Sequence, residues 1–148
     1  MKHRLFSLLA ALVAIFPVLL SAACAPQEAK PAVEIHMGHE SSLSKTVATA
    51  PARTRDSYRF AMANPDALKN VPCYCGCGPL GHKNNYDCYI KGTNADGSFD
   101  FDTHALGCEI CVDITQDVMR YTKTGKAPAD IRAAIDKTYS ARGPSNMP

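Results

Sequence analysis

The sequence is constrained most by its cysteines, which crowd into one part of the chain. Six of them fall in this part: Cys73, Cys75, Cys77, Cys88, Cys108 and Cys111. The first three stand two residues apart, and side chains at that spacing on an extended segment leave on the same face. They can therefore converge on one centre, whereas a disulfide between them would need facing backbones. This density of thiols indicates soft-metal or thiol chemistry.

The first 23 residues have the features of a secretory signal peptide. Met1-Lys2-His3-Arg4 is positively charged, Leu5 to Leu20 is almost wholly apolar, and Ser21-Ala22-Ala23 supplies small residues for cleavage. The apolar run is shorter than the roughly 20 residues that span a bilayer. We therefore predict an exported protein from which residues 1–23 are removed.

Cys24 follows the predicted cleavage site directly and resembles the modified cysteine of a bacterial lipobox. Lipoboxes usually carry Leu three residues before the cysteine, where this chain has Ser21. The resemblance implies a lipid on Cys24 and a membrane-anchored lipoprotein that faces the periplasm or the cell exterior. The alternative is ordinary export, which would leave Cys24 as a free thiol.

Composition divides the remaining chain into three parts. Residues 24–52 are rich in Ala, Pro, Ser, Thr and Glu without a periodic apolar pattern, which predicts a flexible, lipid-anchored tether. Residues 53–140 form the predicted Cys-rich domain, and residues 141–148 a disordered tail. A domain of this size has a small core, so metal ions or disulfides would help to stabilise it.

The charge balance argues against a nucleic-acid partner. Removal of residues 1–23 would take Lys2 and Arg4 from the 16 basic residues and leave as many basic as acidic residues, of which there are 14. A nucleic-acid-binding protein would carry an excess of positive charge. The sequence also contains no paired carboxylates, Gly-rich phosphate loop or convincing Ser–His–Asp triad, so we do not predict an enzyme.

The predicted fold class is mainly α, a small helical domain with an irregular Cys-rich loop and a short β-hairpin. Four helical segments are expected: 54–63, a short turn after Asn64, 104–123 and 127–140. Pro72 begins the Cys-rich loop, because the residue before a proline leaves the helical region. The hairpin is predicted to pair 87–91 with 98–101 around Asp96-Gly97.

The predicted long helix offers metal ligands on one face. His104, Cys108 and Cys111 are spaced i, i+4 and i+7, and the helix N-terminus lowers the pKa of thiols near it. Two further candidates, His82 and Cys88, lie between the loop and the helix. The predicted metal ligands are Cys73, Cys75, Cys77, Cys88, Cys108, Cys111, His104 and His82.

The thiol-rich ligand set suits copper(I) or zinc(II). Cysteines at alternate positions favour bridging thiolates and hence copper(I), while a four-ligand zinc site would leave two of the six cysteines over. His36-Met37-Gly38-His39 adds two imidazoles and a thioether, which we predict as an auxiliary copper site at His36, Met37 and His39. Copper(I) is thus favoured over the zinc alternative.

Two other roles for the cysteines remain open. An exported chain meets an oxidising compartment, so six cysteines can also form three disulfides that staple an interaction module without metal. Cys108-Glu109-Ile110-Cys111 can also be a redox dithiol of a thiol–disulfide oxidoreductase, although no strand is predicted before it.

One sequence segment resembles a known family. Val71-Pro72-Cys73-Tyr74-Cys75-Gly76-Cys77-Gly78, followed by Gly81-His82, Asp87-Cys88, His104 and Cys108-x2-Cys111, is similar to the PCYCGC-motif proteins. These are small exported bacterial proteins, often lipoproteins, and the family is functionally uncharacterised. The resemblance covers most of 58–139 and implies an extracytoplasmic bacterial protein.

The function predicted from the sequence is that of a membrane-tethered metal-binding protein outside the cytoplasm. Its multi-cysteine site would serve a chaperone or scavenger of Cu(I) or Zn(II). The expected partners are a metal ion, the membrane through the lipid anchor, and a protein with which the ion is exchanged.

Overall fold

The computed structural model describes residues 33–147, so the predicted signal peptide and Cys24 lie outside the described residues. The described chain contains helices and one two-stranded antiparallel sheet, which confirms the mainly α class. The helices are α1 (Lys45–Ala48), α2 (Ala52–Ala63), α3 (Pro65–Lys69), α4 (Glu109–Lys123) and α5 (Pro128–Tyr139), and the strands are β1 (Ile90–Thr93) and β2 (Phe99–Phe101). Short 3-10 turns span Glu40–Ser42, Gly78–Leu80, Tyr86–Cys88 and His104–Leu106.

The core forms where α4 packs between α2 and α5. Tyr58 and Phe60 from α2, Ile114 and Val118 from α4, and Ile135 from α5 are fully buried. Burial of such side chains stabilises the fold by about 1.5–3 kcal/mol each. Within residues 33–147, no helix combines the length and the hydropathy that a membrane crossing requires.

The predicted hairpin is present and lies beside the core. Ile90 pairs with Phe101 and Thr93 with Phe99, and Gly97 adopts a φ of 83° in the connecting turn. This positive φ is readily available to glycine, which explains the turn signal in the sequence. The hairpin follows Tyr89, whose ring meets that of Tyr58 edge-on at 4.9 Å between centroids.

The long predicted helix begins later than expected. The chain forms a 3-10 turn at His104–Leu106, Gly107 interrupts it with φ −114° and ψ 4°, and α4 begins at Glu109 with Cys108 as its N-cap. Glycine has low helix propensity, and this allows the break. The prediction that His104 and Cys108 share a helix face with Cys111 is therefore wrong.

The described part of the predicted tether differs from a flexible segment. Val47 of α1 is fully buried, and the amide of Gly38 donates a 2.8 Å hydrogen bond to the carbonyl of Arg59 in α2. The Asn64 side chain also donates to the carbonyl of His36 at 2.8 Å. The apolar residues of this segment show no helical or strand periodicity, but their contacts are enough to hold the segment against α2.

The C-terminal segment, residues 141–147, also differs from the disordered tail that the sequence predicts. Its chain crosses the Cys-rich loop, and Gly143 lies so close that a Cβ added there would meet the carbonyl oxygen of Tyr74 at 2.6 Å. The backbone N–H of Asn146 donates a 3.2 Å hydrogen bond to the carbonyl of Cys73. The segment therefore belongs to the surroundings of the site.

Candidate metal centre

The six cysteines and one histidine of the domain form two groups of side chains that could hold a metal ion. The histidine group consists of Cys75, His104, Cys108 and Cys111. The thiol group consists of Cys73, Cys77 and Cys88. In each group the candidate ligand atoms all lie within 4.8 Å of one another. Sulfur with imidazole nitrogen is the donor set that proteins use for zinc and copper.

The histidine group is assembled by the loop, a 3-10 turn and the start of α4. The Cys75 sulfur lies 3.4 Å from His104 Nε2 and 3.6 Å from the Cys111 sulfur. Asp102 Oδ1 accepts a 2.7 Å hydrogen bond from the His104 amide and so begins the turn that carries the imidazole. Cys108 and Cys111 stand at the N-terminus of α4, where the helix dipole favours thiolates. Bonds with Cys108 and other neighbouring sulfurs nevertheless raise the pKa of Cys111. The bond with Cys111 lowers the pKa of Cys108, but the bond with Cys75 and burial together raise it by more.

The thiol group is more deeply enclosed. Its three cysteines are at most 1% exposed, whereas Cys75, His104 and Cys108 of the histidine group are partly exposed. The sulfurs of Cys77 and Cys88 lie 3.8 Å apart. Cys88 ends the 3-10 turn Tyr86–Cys88, and Cys77 directly precedes the turn Gly78–Leu80. The short turns thus direct both thiols towards the interior.

The two groups meet at Cys73. Its sulfur lies 3.2 Å from the Cys111 sulfur and 3.3 Å from the Cys75 sulfur, and all six cysteines are free thiols. The expectation that the alternating cysteines share one centre is therefore correct only in part, because Cys75 enters a different group from Cys73 and Cys77. Gly76, with a φ of 78°, turns the chain between Cys75 and Cys77, where the alternation assumes an extended segment.

A buried polar network fixes the backbone of Cys111. Its carbonyl accepts a 2.9 Å hydrogen bond from the Tyr89 hydroxyl and a 3.4 Å bond from the Asn85 amide group. Thr115 donates to the Asn85 side chain at 2.7 Å, and both residues are fully buried. Asn85 and Thr115 carry no recognisable signal in the sequence, since only the fold brings them to Cys111.

His82, predicted as a ligand, lies beside the histidine group and outside it. The side chain is buried, with its ring edge-on to that of His104 at 5.3 Å between centroids. Its Nε2 lies 3.4 Å from a carboxylate oxygen of Asp102, the residue that also begins the His104 turn. This arrangement makes His82 a support for the orientation of His104.

Asn146 approaches the thiol group from the far end of the chain. Its side-chain oxygen accepts a 2.7 Å hydrogen bond from the Cys73 amide, and its NH₂ group donates to the Cys77 sulfur at 3.4 Å. The same NH₂ group donates to the carbonyl of Asn84 at 3.2 Å. Hydrogen bonds to ligand sulfurs orient them and tune their charge. Sequence reasoning missed Asn146, because it placed this segment in a disordered tail.

Hydrogen bonds among the thiols lower the pKa of some cysteines and raise that of others. The bond with Cys111 lowers the pKa of Cys73 to about 4, and bonds from Cys108 and Cys111 hold the pKa of Cys75 below its ordinary value. Bonds to neighbouring sulfurs, followed by burial, raise the pKa of Cys77 and Cys88. Neighbouring sulfurs thus shift the pKa of the thiols in opposite directions within one cluster.

The predicted auxiliary copper site is not part of either group among residues 33–147. His36 is exposed, and His39 is also exposed, with its Nδ1 2.7 Å from the Ser41 hydroxyl in the first 3-10 turn. Met37 is partly buried against the core. Cys24, the predicted lipidation site, lies outside the described residues.

The fold and the site define a small, mainly α, cysteine-rich protein with a Cys/His cluster that could bind a metal ion. The chain belongs to the family described as "Protein of unknown function with PCYCGC motif", which matches residues 27–147. The match confirms the resemblance seen in the sequence. No curated protein matches the chain, and no solved structure matches it.

Proposed function

We propose that the protein is a membrane-tethered metal-binding protein that works outside the cytoplasm as a chaperone or scavenger of copper(I) or zinc(II). The observation that carries this proposal is the meeting of six free thiols and one imidazole from distant parts of the chain. Packing alone would not require so many thiols in one place, although single free cysteines are common in cores.

The donor atoms support a soft or borderline cation. Three sulfurs and one nitrogen in the histidine group suit tetrahedral zinc(II), and three buried sulfurs in the thiol group suit copper(I). Because sulfur supplies six of the seven donors, copper(I) remains the favoured ion. Zinc(II) is the alternative, and the experiment below distinguishes the two ions.

The partial exposure of the histidine group supports exchange of the ion with a partner protein. Cys108 borders a surface cavity of ≈ 370 Å³ whose lining includes Arg53, Leu106 and Glu109. A structural zinc site is typically closed to solvent, whereas an ion that is handed over must be reached by an incoming ligand. Cys75 and Cys108 are the sulfurs that such a ligand would approach.

The location is inferred from the sequence that precedes the described residues. Residues 1–23 have the pattern of a signal peptide, and Cys24 stands where a lipobox cysteine would stand. The proposal assigns the protein no catalytic step. The cysteine cluster would bind its cargo by thiolate coordination, which needs no turnover.

Metal content and thiol state together test the proposal. The exported full-length protein is purified from its natural compartment without chelator, and its bound metals and intact mass are measured. We expect copper or zinc bound to the protein and free thiols after the metal is removed. A metal-free protein whose mass is lowered by the hydrogens lost in three disulfides would contradict the proposal and favour the disulfide-stapled module.

Two histidine variants provide a matched comparison. His104→Ala removes the imidazole of the histidine group, and we expect weaker metal retention during dialysis against a chelator. His36→Ala removes an exposed imidazole outside both groups, so its retention should equal that of the unchanged protein. Equal losses in both variants would show that the ion binds elsewhere.

A further inference from the structure

The two ligand groups are close enough to share a ligand. A zinc–sulfur bond of about 2.3 Å at tetrahedral angles places two sulfurs on one ion about 3.8 Å apart. Cys77 and Cys88 show a sulfur separation of 3.8 Å within the thiol group. The Cys73 sulfur lies 3.2 Å from the Cys111 sulfur of the histidine group. The distance between sulfurs of different groups is therefore no larger than the distance between sulfurs of one group.

The number of donor atoms points to the same arrangement. The histidine group has four donors, enough for one tetrahedral ion, whereas the thiol group has three and lacks one. A single sulfur that binds both ions would complete the second tetrahedron. Seven donors would then fill the positions of two four-coordinate ions.

We propose that the protein binds two metal ions joined by a thiolate bridge, with the Cys111 sulfur as the bridging atom. This inference rests on the proposed function, since it describes the same metal-binding site. Cys111 is fully buried, it contacts Cys73 directly, and its carbonyl is fixed by Tyr89 and Asn85. Such a fixed and enclosed sulfur can face both groups at once.

The surroundings of the thiol group support a second ion there. Its three sulfurs are buried, so they could all be thiolates only with a cation that offsets their charge. Asn146 donates an N–H to the Cys77 sulfur at 3.4 Å, and this contact would suit the negative charge of a metal-bound thiolate.

Cadmium NMR of the reduced full-length protein tests the bridge directly. Cadmium is a soft divalent probe, and two ions that share a sulfur show scalar coupling between their NMR signals. We expect two cadmium ions per chain and two mutually coupled signals. Two uncoupled signals, or a single bound ion, would overturn the bridged site and leave the proposed metal binding intact. No binding at all to free thiols would instead overturn the proposed function.

Two variants from the start of α4 identify the bridging atom. Cys111→Ser should abolish the coupling, because the six remaining donors then form two groups of three that share no sulfur. Cys108→Ser removes a partly exposed, non-bridging sulfur from the same group, so two coupled signals should remain with one of them shifted. Coupling that survives in Cys111→Ser would overturn the assignment.

A third variant keeps the test valid if Cys111→Ser does not fold. Cys88→Ser removes a donor from the thiol group alone and leaves the four donors of the histidine group complete. It should leave the signal of the histidine-group ion in place and shift or remove the signal of the second ion. Two coupled signals at unchanged positions in Cys88→Ser would contradict the assignment of Cys88 to the second ion.

Discussion

Cys73 is fixed at three of its atoms, which explains its place at the junction of the two groups. Its backbone N–H donates to the side-chain oxygen Oδ1 of Asn146, and its carbonyl accepts from the backbone N–H of Asn146. Its sulfur contacts the sulfurs of Cys75 and Cys111. The bond with Cys111 lowers the pKa of Cys73, which favours the thiolate form that binds a metal ion.

The role of Asn146 yields a prediction at the scale of single residues. Asn146→Ala removes the N–H donated to Cys77 and the acceptor for the Cys73 amide. Loss of such supporting contacts typically lowers metal affinity about 10–100-fold. We expect this decrease without a change in stoichiometry, measured by competition with a chromogenic chelator.

Asn94→Ala is the matched control for that variant. Asn94 lies in the hairpin turn, where its side chain bonds to Ser98 in an exposed position. Metal affinity should be unchanged in this control. An Asn146→Ala protein with the affinity of Asn94→Ala would show that the C-terminal segment does not support the metal centre.

At the scale of structural elements, turns of the backbone determine which cysteines come together. Gly76 and the turn at His104–Leu106 each change the direction of the chain between candidate ligands. Because these changes turn the chain between Cys75 and Cys77 and place His104 before α4, the candidate ligands come from four short segments. The arrangement predicted from the sequence, with one long helix and one extended loop, would give a different site.

The conformation of Gly76 gives a prediction about the loop. Gly76→Ala places a side chain in open space, but at φ 78° it costs about 1–2 kcal/mol of backbone strain. We expect a lower thermal unfolding midpoint and weaker metal binding. Gly107→Ala is the matched control, since its Cβ also meets open space and its φ is −114°. Equal effects of the two substitutions would contradict this account.

The sequence was sufficient for the ligand types and for the helices with a strong apolar period. Ile131, Ile135 and Tyr139 of the last helix recur at helical spacing, and all three are buried. The geometry of the site could not be predicted in this way. The periodicity of the apolar residues predicts one continuous helix through Gly107, whereas the chain forms a separate 3-10 turn before it. Contacts between distant segments, such as that of Asn146 with Cys77, have no local pattern from which to predict them.

At the scale of the whole molecule, segments on both sides of the predicted domain complete the fold. Residues 33–52 pack on α2 through buried Val47, and residues 141–147 cover the Cys-rich loop. The folded unit therefore extends beyond 53–140 in both directions, and the match of the family to residues 27–147 agrees with this extent.

Above about pH 8.5, the buried thiols and phenols predict different pH dependences for the metal-free and metal-loaded proteins. Below that pH, the lowered pKa of Cys73 and Cys75 makes the stability of the metal-free protein rise with pH. Bonds to neighbouring sulfurs, followed by burial, raise the pKa of Cys77, Cys88 and Cys111, and burial raises the pKa of Tyr58 and Tyr89. A raised folded-state pKa contributes stability that is complete below the unfolded-state pKa and is lost at higher pH. The reduced, metal-free protein should therefore lose stability above about pH 8.5, where unfolded thiols ionise.

Metal changes the sign of the contribution of the thiols whose pKa is raised in the metal-free protein. Ligand cysteines are already thiolates in the loaded protein, so the unfolded chain binds more protons and stability rises with pH up to about pH 8.5. Thermal unfolding midpoints of both forms, measured under reducing conditions from about pH 7 to about pH 10, check the prediction. Parallel pH profiles for the two forms above about pH 8.5 would show that the thiols do not bind the metal.

The central claim is that sulfurs from the Cys-rich loop and from the start of α4 bind the same metal centre. X-ray absorption at the metal edge, on the protein isolated with its natural metal, tests this claim most directly. The account predicts a ligand shell dominated by sulfur at about 2.3 Å with a minor nitrogen contribution. A shell of oxygen and nitrogen alone, with the six cysteines paired as cystines, would contradict it.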